Sequence, residues 1–245
     1  MSRITSKLDN RNILSQHPLI APHLPDTVPL RFSNLQHMLQ RYSMLYLKPD
    51  NSCQGKGIIR IDRLANNKLK LRTRDDQTTS YHTNILSLWR NILRKKRKRP
   101  YLIQQGINSL TKNQRLFDIR VHLFRIHGNW VIGGIIGRIA TQNGIATNAY
   151  SGGQPKEIMA LLREDLGLSW EQQKRTIHDL CQLSLIATEW ISRIHPKWSE
   201  FGLDIGIDRN GHYWLYEINI KPGLYVFRYE KELLAKLRQM RKKAS

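Results

Sequence analysis

The chain has 245 residues and is 40% hydrophobic, enough for one or two closely packed domains with a real core and too apolar for disorder from end to end. Lys and Arg number 40 against 19 Asp and Glu, and the net charge of +21 selects anions as partners without choosing among nucleotides, nucleic acid, acidic polymers and anionic surfaces. Two cysteines, Cys53 and Cys181, exclude a disulfide scaffold and lack metal-ligand spacing, while no apolar run approaches membrane-spanning length and the first 12 residues are too polar for a signal peptide. The expectation is a cytoplasmic protein with no membrane insertion.

In chain order, a short helix is expected over Lys7 to Leu14, then an extended connector punctuated by Pro18, Pro22, Pro25 and Pro29. Leu35, Met38 and Leu39 predict a helix from Ser33 to Arg41 with Ser33 as its cap. Met44 to Leu47 reads as a strand, residues 50–57 as a polar glycine loop, and Ile58 to Ile61 as the returning strand. Ile85, Leu88, Trp89, Ile92 and Leu93 place a helix over Asn84 to Arg99, its last turns formed by the basic run Arg94 to Arg99, and Pro100 stops it. Strands are expected at Tyr101 to Gln105, Phe117 to Ile126 and Trp130 to Thr141, and a long helix within Trp170 to Ile194. Leu203 to Ile207 and Tyr213 to Ile218 form a β-hairpin. The division expected is 1–32, 33–103 and 104–245, with net charge +14 on residues 1–103 and +7 on 104–245. Strands alternating with helices argue for an α+β or α/β fold.

Three groups of residues carry chemistry. On the hairpin, Glu217 and Asn219 share a face and Asp204 lies on the partner strand, so three oxygen ligands suited to Mg²⁺ could converge, although solvated carboxylates near a turn satisfy the same spacing. Lys48 precedes the loop holding Gly55, Lys56 and Gly57, where backbone N–H groups can approach phosphate oxygens; a plain turn is the competing reading, and Gly57 after Lys56 rules out a Walker A loop. Arg120 and Arg138 sit within apolar strands, and a lone buried guanidinium is costly, so each points to an acid, an edge or a ligand.

Leu47-Lys48-Pro49, the Gly-x-Gly loop, Gln104-Gln-Gly-Ile107, Phe117-Asp-Ile-Arg120, Gly137-Arg138-Ile-Ala, Thr147-Asn148 with Gly152-Gly153, and Asp204 with Glu217-Ile-Asn219 occur in the order of an ATP-grasp fold. Ser6-Lys7, Leu24-Pro-Asp-Thr27 and the segment from Gly202 to Asp208 narrow the resemblance to the YheC/YheD type, a group of endospore-coat-associated proteins. The resemblance runs from about Lys7 to Gly223. It implies an α+β ATP-grasp fold in which two α+β subdomains clamp ATP, here with a reduced N-terminal pre-grasp region.

It further implies ATP and Mg²⁺ as cofactors and a carboxylate–amine ligase working through an acyl-phosphate. Lys48, and less directly Lys7, would hold phosphates, and Ser52, Gln54, Gly55, Lys56 and Gly57 would cover them. Gln104, Gln105 and Ile107 would line the adenine pocket, and Asn148 would join the cofactor-binding residues from the side of Arg120 and Arg138. Arg120 and Arg138 would face the transferring phosphoryl group, Asp204, Glu217 and Asn219 would hold the metal, and Lys221 would touch the acceptor. The short N-terminal region implies that a partner protein, a second subunit or an anionic polymer completes the acceptor site. A kinase, a nucleic-acid-binding module using the basic run, and a structural coat-associated domain are the alternatives.

Overall fold

The computed structural model of the chain describes residues 6–51 and 55–244. Two units are distinguished, one made of residues 1–9 and 25–107, the other of 10–24 and 108–245. Helix α1 (Lys7–Leu14) has the expected bounds.

In the first unit, β1 (Thr27–Pro29), α2 (Phe32–Arg41), β2 (Met44–Pro49), β3 (Ile59–Arg63), β4 (Leu69–Thr73), β5 (Thr79–His82), α3 (Ile85–Lys95) and β6 (Tyr101–Gln105) follow in sequence. The strands form one antiparallel sheet in the order β1-β6-β2-β3-β4-β5. Alternation gives the sheet two unlike faces. Leu45, Leu47, Ile59, Ile61, Leu71 and Ile103 pack against Leu35, Met38, Leu88 and Ile92 of α2 and α3. Tyr46, Lys48, Arg60, Asp62, Arg72 and Gln104 occupy the other face.

The second unit adds β7 (Phe117–Ile126), β8 (Asn129–Ile139), β9 (Gln154–Glu157), the one-turn α4 (Ile158–Ala160) running into a π-helical turn, α5 (Trp170–Ser192), β10 (Glu200–Ile207), β11 (Tyr213–Ile220) and α6 (Lys231–Lys243). Its antiparallel sheet has the order β11-β10-β7-β8-β9. Ile119, Val121, Leu123, Phe201, Leu203 and Ile205 form an apolar face packed on Leu180, Leu183, Ala187 and Ile191 of α5. That helix starts with a capping box, Ser169 and Gln172 each bonding the other's backbone.

Four local expectations change. The proline-rich segment is not simply extended: Pro22 is the second residue of a 3₁₀ turn (Ala21–His23), where a missing N–H costs nothing, and Pro29 closes the edge strand β1. Ser33 lies inside the first turn of α2, which begins at Phe32 after an extended Arg31, and the Phe32 ring packs edge-on against Trp89 at 5.6 Å. Helix α3 ends at Lys95, leaving residues 96–99 outside it. Pro100 disfavours helix at Arg99, and Arg97 turns away to Asp75 and to the Tyr101 hydroxyl. Strands β4, β5 and β9 and helix α6, which the sequence reading does not place, complete the architecture.

Candidate active site

One face of the second sheet gathers ionisable groups in register. Arg120 on β7 lies opposite Asp204 on β10, and Asp204 lies opposite Glu217 on β11, while Asn219 faces Gly202 one rung away. On β8, Arg138 lies opposite Asp118. Directly opposed residues on antiparallel strands project to the same side, so all six side chains share a face.

The contacts knit them together. Arg120 Nε donates to Asp204 Oδ1 at 2.5 Å, and an Arg138 terminal nitrogen reaches the same oxygen at 2.9 Å. Arg138 also spans both oxygens of Asp118 at 2.6 and 2.7 Å, and the Thr147 hydroxyl donates to Asp118 Oδ2 at 2.6 Å. The Asn219 amide nitrogen donates to Asp204 Oδ2 at 3.3 Å. Burial works against ionisation of Asp204, yet Arg120 and Arg138 hold its carboxyl well below the usual carboxylate range. Burial likewise opposes the Arg138 charge, and Asp118 and Asp204 overcome it, raising that pKa.

A β-bulge sets the aim of β11. Ile205 pairs with Leu215 but Asp204 with Glu217, so Tyr216 is the extra residue and the alternation changes phase there. Leu215 therefore faces the core with Ile218, while Glu217 and Asn219 face the arginines. The bulge is anchored by Tyr216, whose hydroxyl meets Ser109 Oγ at 2.7 Å above Gly206, where a β-carbon would collide with both.

The donor set suits Mg²⁺ by its chemistry. Asp204, Glu217 and Asn219 offer oxygen only. Across the cluster three carboxylates (Asp118, Asp204, Glu217) outnumber two guanidiniums (Arg120, Arg138), leaving a net charge of −1 that favours a cation. Mg²⁺ fits these residues. Among the described residues no group of three His, Cys, Asp or Glu forms a metal cluster by itself, so any Mg²⁺ here would be completed by Asn219, water or substrate oxygens.

The remaining expected residues are dispersed. Lys221 caps the end of β11, its backbone N–H donating to the Glu200 carbonyl and its ammonium lying 5.2 Å from the centre of the Trp198 ring. That is four residues along β10 from Asp204, roughly 13 Å at strand rise. Asn148 holds its own loop, accepting the backbone N–H of Ser151 and Gly153 and the Ser151 hydroxyl.

In the first unit, Lys48 Nζ donates to Gln104 Oε1 at 2.6 Å, so these two are brought together on the polar sheet face. Gln105 points to the opposite face, where its side chain accepts the Asp26 backbone N–H. Ile107 is buried beyond the end of β6, and Lys7 begins α1, whose second residue, Leu8, donates to Asp50. Gly55 and Gly57 both have positive φ, which glycine alone adopts freely, and the Gly57 N–H is already engaged by both Asp75 oxygens at 3.1 Å. Lys56 lies in the turn between them, exposed. Ser52 and Gln54 lie outside the described residues. Sequence reasoning missed the neighbours of Lys48 on this face. Arg60 chelates Asp62 at 2.6 and 2.8 Å, Arg72 reaches the same carboxylate at 3.1 Å, and Tyr46 lies between Arg60 and Lys48, its phenol pKa raised by burial. The period-two placement of Tyr46/Lys48, Arg60/Asp62 and Lys70/Arg72 was the available signal.

Residues 2–243 match the model of the family described as YheC/D like ATP-grasp. The chain belongs to the YheC/D-like ATP-grasp family. Among curated proteins it is similar to two Bacillus subtilis (strain 168) members of this group. To endospore coat-associated protein YheD it is 26% identical over 227 residues, covering 91% of this chain and 49% of YheD. To endospore coat-associated protein YheC it is 26% identical over 217 residues, covering 86% and 58%. The chain thus spans about half the length of the curated relatives it matches. Among solved structures, the D-alanine-D-alanine ligase from Coxiella burnetii superposes with a TM-score of 0.56 at 12% identity, over 98% of this chain and 57% of that one. That likeness is one of fold.

Proposed function

We propose that this YheC/D-like ATP-grasp chain carries a Mg²⁺- and ATP-dependent carboxylate–amine ligase activity, in which a substrate carboxylate accepts the γ-phosphoryl group and the resulting acyl-phosphate is captured by an amine. The observation that carries the reading is the in-register row Arg120, Asp204 and Glu217 with Arg138 and Asn219 on one sheet face. Phosphoryl transfer needs positioning and charge neutralisation and no protein nucleophile, and this row supplies fixed cations beside an oxygen-donor set.

Arg120 engages Asp204 through Nε, and its terminal nitrogens would meet an incoming anion. Arg138, held by Asp118 on two atoms, presents a fixed positive charge that does not reorganise during the reaction. Asp204, Glu217 and Asn219 would hold Mg²⁺, which when bound neutralises phosphate charge. On the polar face of the first unit, Lys48 would bind phosphate oxygens, with the Gln104 carbonyl orienting its ammonium. The acceptor acid and amine belong to the class of small or polymer-borne carboxylates and amines. Association with a spore coat belongs to the same proposal and is supported by the relatives' names.

The test is Mg²⁺-dependent thermal stabilisation by ATP in wild type, Glu217→Gln and Lys48→Met, followed by ADP release against panels of acids and amines. Stabilisation that needs Mg²⁺ and disappears in both variants supports the site. No stabilisation of the wild type overturns it, and ADP release that needs an acid but no amine replaces ligase by kinase.

A further inference from the structure

The basic run that closes α3 belongs neither to the cluster on the second sheet nor to the polar face around Lys48. Helix α3 buries Leu88, Asn91 and Ile92, yet two leucines lie on its outer side, Leu86 at 56% exposure and Leu93 at 47%. Seven residues apart, they stand about 20° from alignment, and Arg90 falls between them on the same stripe with Arg94 beside it. The outer face is therefore both apolar and cationic.

The following segment extends the charge. Lys95 pairs with Asp76 at 2.6 Å and Arg97 with Asp75 at 2.6 Å, so two cations of the run are neutralised locally. Among the described residues, no carboxylate pairs with Arg90, Arg94, Lys96, Lys98 or Arg99. Five uncompensated cations within ten residues border two wet leucines.

We propose that the outer face of α3 with residues 96–99 is a peripheral docking surface for an anionic lipid bilayer. Lipid phosphates complement the five cations, and the boundary between headgroups and acyl chains accepts Leu86 and Leu93, which a nucleic acid would leave in water. Contact is shallow, because the inner face of α3 is committed to the core of its own unit. The inference is independent of the ligase reading.

The experiment is co-sedimentation of the full chain with vesicles of pure phosphatidylcholine and of equimolar phosphatidylcholine and phosphatidylglycerol, at two salt concentrations, with heparin retention in parallel. The expected result is binding to the anionic vesicles about tenfold or more tighter than to the neutral ones, weakened by salt. Arg90→Glu with Arg94→Glu should lose about tenfold. Leu86→Ser with Leu93→Ser should lose about threefold on vesicles with heparin retention unchanged. All four positions are exposed, and an unchanged circular-dichroism melt shows that the variants fold. Equal binding to both vesicle types, absence of binding, or a leucine variant that binds anionic vesicles like the wild type overturns the proposal. A wild-type dimer that the leucine variant dissociates also overturns it, since a second copy would then cover this face.

Discussion

Asp118 and Arg138 face each other across β7 and β8 and meet through two parallel hydrogen bonds of 2.6 and 2.7 Å, with both side chains buried. Thr147 donates to the same carboxylate, so Asp118 fixes the arginine and also ties down the segment leading to Asn148. Breaking a buried pair from one side leaves an uncompensated charge. Asp118→Asn should destabilise the fold by about 3 kcal/mol, measured by urea unfolding. On the proposed reaction it should lower kcat more than it raises KM for ATP, because Arg138 would lose its fixed direction while Lys48 is untouched. An unchanged kcat in the folded variant would remove Arg138 from the chemistry.

Glu217 and Asn219 owe their direction to the bulge at Tyr216, which rests in the space that Gly206 leaves open. Gly206→Ala should displace the Tyr216 ring and cost about 1–3 kcal/mol in stability through overpacking. It should also reduce the Mg²⁺ dependence of ATP-induced stabilisation. Tyr216→Phe keeps the ring and loses the Ser109 bond, for which about 1 kcal/mol is expected by denaturant titration.

Lys48 and Gln104 form a cation–acceptor pair on the polar face of the first sheet. Lys48→Met should leave the unliganded melting temperature nearly unchanged while abolishing the shift produced by ATP. Saturation at a hundred times Kd stabilises the wild type by about 2.7 kcal/mol, so calorimetry with and without nucleotide resolves the difference.

His122 is fully buried against Glu200, at 2.7 Å, and Glu200 in turn accepts Arg241 from α6. Burial lowers the pKa of His122 despite the neighbouring carboxylate, and Arg120 and Arg241 push the same way. The neutral imidazole is thus preferred in the fold, and the unfolded chain binds the extra proton below about pH 6.5. Stability should be constant above that pH and fall as pH drops towards the folded pKa, at up to about 1.4 kcal/mol per unit. Glu200 moves the other way against its burial: His122 and Arg241 hold its pKa down. Its contribution is present above the unfolded value near 4.3 and is lost as pH falls further. Urea midpoints from pH 8 to 5 should show the first slope, reduced in His122→Gln.

Residue order alone located the strands carrying Arg120 and Arg138, the hairpin carrying Asp204 and Glu217, and the family, because apolar alternation and motif succession are properties of a one-dimensional string. Lys48 and Gln104 were each placed on their strands for the same reason, but that the two side chains meet came from strand register. The polar row around Arg60, Asp62 and Arg72 was not read, because β3 and β4 are five residues each and charges at alternate positions of a short strand equally suit a solvated face.

Which acids face which arginines was beyond the string. Asp118 is two residues from Arg120 and twenty from Arg138, yet its bonds go to Arg138, because strand register and not proximity in sequence brings the groups together. A single extra residue at Tyr216 turns Leu215 inward and Glu217 towards the arginines, an outcome that depends on Gly206 and Ser109 from elsewhere in the fold. Composition set the excess of positive charge, and the order of elements and motifs set the α+β fold and the family. The packing of separate strands determined where each charge is held and what it is left able to meet.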